Sequence, residues 1–381
     1  MASSSWPTKT YNASSTSING LQIPFSAFVH PYNGPTLSVV VRSDSQPFLD
    51  VLAFEEKAGK ALVVKFSDDN SKGLNNVEVS YLIDVFVPVQ SLASIVALGS
   101  GEIVVTPNAL VNSTSDALDL AVTGSGSIFV SGPSIALDDL KLSASGSGNV
   151  QFDVPTTTVA KKVEASVTGS GALVLATTSL KATSLETSIT GHGKVYVASA
   201  AANISSTVKT SIAGSGALNI YTAGSCAKHD ITVAGSGAAY VSAMRCADTS
   251  VAVMGSGSAY VASTTSLATS VSGSGQVNVV GTVPGWSGAT TGTPRVDMYT
   301  LEVAPKYSPK TTTFLSHASI GSTSSNATVV GVVAGVAVLV LLVVGVLVYK
   351  CRKNGRACFR ASPQQTGYTR RMSTEGNANA V

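Results

Sequence analysis

VTGSGALVL, residues 167–175, has the composition of an ordinary turn between two strands. What decides the fold is that it repeats. VTGSGSIFV precedes it at 122–130, and IAGSGALNI, VAGSGAAYV, VMGSGSAYV and VSGSGQVNV follow it. Counted from Gly99-Ser100-Gly101, paired glycines begin at 99, 124, 146, 169, 191, 214, 235, 255 and 273, nine corners 18 to 25 residues apart. A fixed period of that size is the mark of a solenoid. Before each corner the second and fourth residues back are mostly apolar, as in Val167 and Ala165 or Val233 and Ile231. After it the second and fourth residues past the last glycine are apolar in the same way, as in Leu173 and Leu175 or Val277 and Val279. Alternation with period two marks half-buried strands, and a helix would not survive two glycines in every unit.

One unit is too small to bury its own apolar face, so the units stack. Layers roughly 4.8 Å apart pair each strand with its equivalent above and below, in parallel and in register. The fold class expected is therefore all-β, a parallel β-helix of about nine coils with apolar positions facing the bore. Glycine recurs at the corner because it tolerates positive φ and close backbone approach, and the serine between is expected to hydrogen-bond along the stack. A phosphate-cradling loop requires a helix after the glycines, and here a strand follows. Calcium-binding β-rolls require an Asp in each turn, and these corners have none. His192 replaces the central Ser once and reads as a tolerated surface residue.

Two cysteines test the register. Cys226 and Cys246 each lie nine residues before their corner glycine, so adjacent coils bring them within disulfide range. The position they take is expected to hold an aliphatic residue in other coils, Ile135, Val159, Leu180 and Ile204. A metal would need two further ligands, and none is evident; neither metal nor cofactor is expected. A disulfide also implies an oxidising, extracellular setting.

The rest of the 381-residue chain divides by composition. Residues 1–19 read as a disordered arm, and 20–90 as a β-rich cap over one end of the coils, with LSVVVRS, ALVVKF and VEVSYLIDVFVPV as its strands. Residues 91–303 are the β-helix, closed at the far end by GWSGATTGTPRVDMYTLEVA. Residues 304–328 are a Ser/Thr-rich stalk. Residues 329–349, VVGVVAGVAVLVLLVVGVLVY, are 21 uncharged residues, enough for one transmembrane helix. Residues 350–381 form a basic tail with seven Lys/Arg and one Glu, which the positive-inside bias places in the cytoplasm. The expected localisation is thus the plasma membrane, single-pass, N-terminus outside. No apolar h-region opens the chain, so this topology anticipates a signal upstream of Met1. The residues before the tail carry 17 Lys/Arg and 20 Asp/Glu, net −3, which gives nucleic acid no reason to bind.

Modification candidates follow from those boundaries. The sequons at Asn12, Asn112, Asn203 and Asn326 all precede the expected span. Cys351 and Cys358 are placed for palmitoylation, and Ser373 in RRMS for phosphorylation. Gly331 and Gly335 have the spacing of a helix-dimerisation motif.

The order of these features resembles the head GIN domain family of auto-transporter adhesins. The resemblance runs over roughly residues 20–300: a β-rich opening, a Pro-containing step VFVPVQSLASIVALGSGEIVV at 85–105, then repeated V-x-G-S-G-x-V-x-V coils. It implies a cell-surface β-helix with an adhesin role, here extended by a stalk, a span and a tail.

Three functions compete. For adhesion or recognition, the candidate face is the third residue past each corner, which points outward: Phe129, Gln151, Val174, Tyr196, Asn219, Tyr240, Tyr260 and Asn278. Aromatics and amides in a column can pack on sugar rings and hydrogen-bond hydroxyls. The same column also serves plain strand stability through cross-strand contacts. A polysaccharide-active enzyme, the second class, needs convergent carboxylates; the acidic residues are scattered, with Asp138-Asp139 the one acidic pair in the coils. The third reading is a structural spacer, a rod roughly 40 Å long. The partners expected are the membrane and an extracellular glycan or protein, with no catalytic residue.

Overall fold

The computed structural model describes residues 6–58, 60–67, 77–221, 223–288, 302–308 and 316–320. The described residues all belong to one compact unit, and residues 323–381 lie outside them.

A single rung shows how the repeat becomes a fold. Ala172–Gly191 is one continuous bent strand that contributes to three ladders. Residues 172–176, just past the corner, pair in parallel with Asn149–Asp153 below. Residues 179–182 pair with 156–159, and 184–191 with 162–169, after a register shift at the bend between them. The next rung, Lys194–Gly214, repeats all three pairings on top. We call these the exit, third and approach ladders, after their place relative to the corner. Leu173, Leu175, Leu180, Leu185 and Ile189 point into the bore and are buried, as the period-two pattern requires.

The corner itself is close-packed backbone. Gly169 has φ +116°, and a Cβ there would lie 2.4 Å from the carbonyl oxygen of Gly146 in the rung below. A Cβ on Gly171 would lie 2.1 Å from the Gly148 oxygen. The space is filled by hydrogen bonds: the N–H groups of Ser170 and Gly171 both donate to the Gly146 carbonyl, at 2.8 and 3.0 Å. The middle residue thus stacks through its backbone N–H, while its side chain is exposed. His192 makes the same bond to Gly169 at 2.8 Å, which is why the side chain there is free to vary.

The cap is partly a rung. Gly20–Ile23 pairs in parallel with Ser94–Gly99 above and Ala61–Phe66 below, and Ala27–Tyr32 with Glu102–Val105 above and Val77–Pro88 below. The stack thus begins two layers before the first glycine corner, the nearer being residues 20–32. In that layer Pro24-Phe25-Ser26 stands at the corner, and the Phe25 ring packs edge-on against Phe48, Phe66 and Tyr81. The layer below it is edged by antiparallel strands, Ser38–Ser43 against Val77–Pro88 and Leu52–Lys57 against Ala61–Phe66. The helix Gln46–Val51, capped by Ser45 Oγ accepting from the Phe48 N–H, tucks Phe48 and Leu49 into the core. Thr8–Asn12, assigned from sequence to a disordered arm, is a strand paired with Ser38–Ser43. Its Tyr11 stacks on Phe54 and donates to Glu56, which anchors a short alternating stretch too polar to stand out by composition.

At the other end Gln276–Val279 and Gly285–Gly288 add the last exit and approach-ladder strands. The expected 304–328 stalk is not wholly separate from the rod. Residues 302–308 lie against it, and Ser316–Ile320 pairs antiparallel with residues 77–81 of the cap.

The transmembrane helix expected over 329–349, and with it the single-pass plasma-membrane placement, is corrected here. Among the described residues no helix is long and apolar enough to cross a membrane. Residues 329–349 lie outside them, as do Asn326, Gly331, Gly335, Cys351, Cys358 and Ser373. Length and hydropathy bound what a segment could span, but Val and Gly are weak helix formers, and apolar composition alone does not make a helix.

Candidate recognition face

The exit ladder carries one outward position per rung, and pairing aligns these into a column. It runs from Phe129 through Gln151, Val174, Tyr196, Asn219 and Tyr240 to Tyr260 and Asn278. From sequence this is a single solvent-facing ladder. The structure divides it in two.

The lower half is covered. Phe129, Gln151, Val174 and Tyr196 are each no more than 7% exposed, beneath or beside residues 302–308. The Tyr307 backbone N–H donates to Gln151 Oε1 at 2.8 Å, and Gln151 Nε2 donates back to the Tyr307 carbonyl at 3.4 Å. The Tyr307 hydroxyl donates to Asn149 Oδ1, and its ring sits 6.4 Å from that of Phe129. Two rungs higher, Lys194 Nζ donates to both Glu302 carboxylate oxygens at 2.6 and 2.7 Å. Burial first, and Glu302 second, hold the Tyr196 phenol well above its ordinary range; the same causes push Tyr221 up to about 12.

The upper half holds a cluster of unsatisfied groups. Asn219 is fully buried in the column between Tyr196 and Tyr240, and neither its amide nitrogen nor its amide oxygen meets a hydrogen-bond partner. Tyr221 stacks on Tyr196 with ring centroids 6.5 Å apart, and its hydroxyl is also unpartnered. Tyr240 and Tyr260 stack at 5.0 Å with planes 19° apart, both half-exposed. Asn278 Nδ2 is buried without a partner in the rung above. Leaving a buried amide unpaired costs free energy, so this arrangement is not explained by stability.

Tyr221, Tyr307, Glu302 and Lys194 were not singled out from sequence. Tyr221 was within reach, being two residues past Asn219 on an alternating strand. Tyr307 and Glu302 carried no local signal, since their contacts span 156 and 108 residues.

Elsewhere in the rod Asp119 Oδ1, Thr177 Oγ1 and Thr249 Oγ1 are also buried without a partner. Cys226 and Cys246 form a disulfide on the third ladder, paired in register with Cα atoms 4.4 Å apart. The column they prolong holds Leu137, Val159, Ala182 and Ile204; Ile135 and Leu180 belong to the neighbouring one. Counting nine back from the glycine reaches Leu137 and Ala182 but misses Val159 and Ile204 by one residue, because register shifts change the residue count between ladders. The approach ladder carries Asp119, Lys141, Glu164, Glu186 and Lys209 in one outward column. Ion pairs thread it: Lys141–Asp119, Lys162 with Glu164 and Glu186, and Lys209–Glu186. Asp138 pairs with Lys161. These carboxylates sit in a cross-strand charge ladder, and among the described residues no three His, Cys, Asp or Glu side chains cluster to hold a metal.

The bore has one polar knot. His229 Nε2 lies 3.1 Å from Thr210 Oγ1, which Thr187 Oγ1 approaches at 3.3 Å from the rung below, and Thr249 is aligned with His229 from above. Burial pushes the His229 imidazole down to about 4. Of the sequons, Asn12 and Asn203 are exposed, whereas Asn112 Oδ1 accepts from the Ala136 N–H at 2.6 Å.

Known proteins supply the context. The solved structures similar to this chain include a putative adhesin from Parabacteroides distasonis (16% identity, 73% of this chain and 98% of that one, TM-score 0.45). Another is a putative adhesin from Parabacteroides merdae (15%, 73% and 97%, TM-score 0.43). A putative lipid binding protein from Parabacteroides distasonis also matches (20%, 72% and 97%, TM-score 0.42). No curated protein matches. The family described as "Putative auto-transporter adhesin, head GIN domain" matches residues 25–199 and 156–282, and together these cover most of the chain. The chain belongs to the head GIN domain family of putative auto-transporter adhesins.

Proposed function

We propose that this adhesin-like protein is a non-enzymatic recognition module and that its upper exit face, from Asn219 to Asn278, takes the glycan portion of an extracellular ligand. The observation that carries the reading is Asn219: a fully buried amide with donor and acceptor both unmet, in register between two tyrosines. A sugar hydroxyl is donor and acceptor at once and matches such an amide. The half-exposed Tyr240–Tyr260 stack above it offers aromatic surface for the apolar face of a pyranose. The carboxylates nearest in kind are tied to lysines on another ladder, which favours binding over glycoside chemistry.

A glycan array probed with the full chain tests this. Wild type should bind a subset of glycans saturably, and Tyr240→Ala with Tyr260→Ala should lower that affinity about tenfold or more. Asn219→Leu should bind as poorly while raising thermal stability, because an unpaired buried amide is exchanged for an apolar side chain of similar size. Undiminished binding by these variants, or no glycan bound by wild type, would overturn the reading.

A further inference from the structure

The lower half of the exit face already holds a peptide. Residues 302–308 run along the rod axis, across the strands, with Glu302 at the Lys194 rung and Tyr307 two rungs lower. The grip is by side chains of the sheet. Gln151 takes both the N–H and the C=O of the residue at Tyr307, a contact any extended peptide can make. Asn149 and Phe129 read the hydroxyl and ring of that residue, and Lys194 reads a carboxylate five positions before it. Farther on, Ser316–Ile320 adds as an antiparallel strand to residues 77–81, a backbone-only mode of docking.

This grip is light for what it covers. The Lys194–Glu302 pair is about half exposed on both sides, where ion pairs contribute little. Val303 is 84% exposed, so much of the segment touches nothing apolar. Yet when it lifts, Phe129, Val174 and Tyr196 face water as one contiguous patch, a surface that invites an occupant.

We propose that this half of the exit face is a docking site for an extended peptide, and that its occupant in trans is residues 302–308 of a second copy of the chain. Each copy carries both the face and the segment that fits it, so an exchanged pair reproduces every contact of the unexchanged chain, and exchange of an identical element is a low-cost route to association. The chain length suffices: 13 residues, 289–301, separate Gly288 from Glu302, and a stretch of that length spans at most about 45 Å. The proposal stands apart from the glycan reading, which concerns the rungs above.

Two full-length variants, each defective in one half of the contact, test it. Gln151→Ala has a weakened face and an intact segment; Glu302→Ala with Tyr307→Ala has an intact face and a weakened segment. Each alone should sediment as a monomer, and their mixture should form a one-to-one dimer. Wild type should dimerise with rising concentration, and a synthetic peptide of residues 300–310 should reverse this. The same peptide should bind the segment-defective chain about tenfold more tightly than it binds a chain carrying Gln151→Ala on the same background. If Gln151→Ala fails to fold, Gln151→Glu, which keeps the size and loses the N–H donor, replaces it. A mixture of folded variants that stays monomeric overturns the exchange, even where the peptide alone binds.

Discussion

At the scale of single residues, the fold rests on atoms that are missing. A methyl at Gly169 would meet the Gly146 carbonyl and also force a non-glycine residue to φ +116°. Gly169→Ala should therefore lose roughly 2–4 kcal/mol in denaturant unfolding. Ser170→His should fall within about 0.5 kcal/mol of wild type, because only the backbone N–H of that residue is used. An equal loss from both changes would mean that the corner is not held as described. His229 gives a second residue-scale test. Its folded pKa, about 4, lies below the ordinary value of 6.5, so the unfolded chain binds the proton more readily. The associated stability is complete above pH 6.5 and is lost as pH falls toward 4, about 3 kcal/mol in total. His229→Leu, matching the Leu267 and Val208 that flank this column, should remove that part of the acid sensitivity. An unchanged difference between pH 7 and pH 4.5 unfolding midpoints would contradict it. The corners were legible in the sequence because identical glycines recur. His229 was not, since an inward His looks like any other deviation in an alternating strand until its neighbours in adjacent rungs are known.

At the scale of elements, each rung is held only by the one above and the one below, so stability is assembled from neighbour contacts. The Cys226–Cys246 bond ties two rungs across a sequence separation of 20. On a chain-entropy argument, closing a loop of that size stabilises by about 3 kcal/mol. Reduction, or Cys226→Ser with Cys246→Ser, should lower protection from amide exchange in the rungs from 217 onward, while the cap and first rungs change little. Uniform loss along the whole chain would contradict a rung-by-rung solenoid. The cysteine spacing gave this pairing from sequence alone, yet the aliphatic residues expected at the same position included Ile135 and Leu180, which belong to the neighbouring column. Spacing survives within one ladder and slips across a bend, where register shifts change the residue count.

At the scale of the whole molecule, a one-dimensional repeat converts sequence period into spatial columns, and that is why so much of the architecture could be read directly. The aromatic and amide column was found as a column because its members recur three residues past the glycines. That its lower half is covered could not be found this way: Glu302 and Tyr307 lie outside the repeat, the one in the stretch expected to close the far end and the other in the expected stalk. That part of the cap is itself a rung was hidden for the opposite reason, since the layer at residues 20–32 turns on Pro24-Phe25-Ser26 and carries no glycine corner to match.

The central claim is parallel, in-register stacking, and disulfide trapping on a ladder remote from the native cysteines tests it most directly. Ser143, Ser166 and Ser188 are partners in three successive rungs of the approach ladder. Ser143→Cys with Ser166→Cys should oxidise spontaneously to an intramolecular disulfide, because one rung is roughly 4.8 Å. Ser143→Cys with Ser188→Cys, two rungs apart, should stay reduced under the same conditions. Cross-linking of the second pair as readily as the first, or of neither, would contradict the stack.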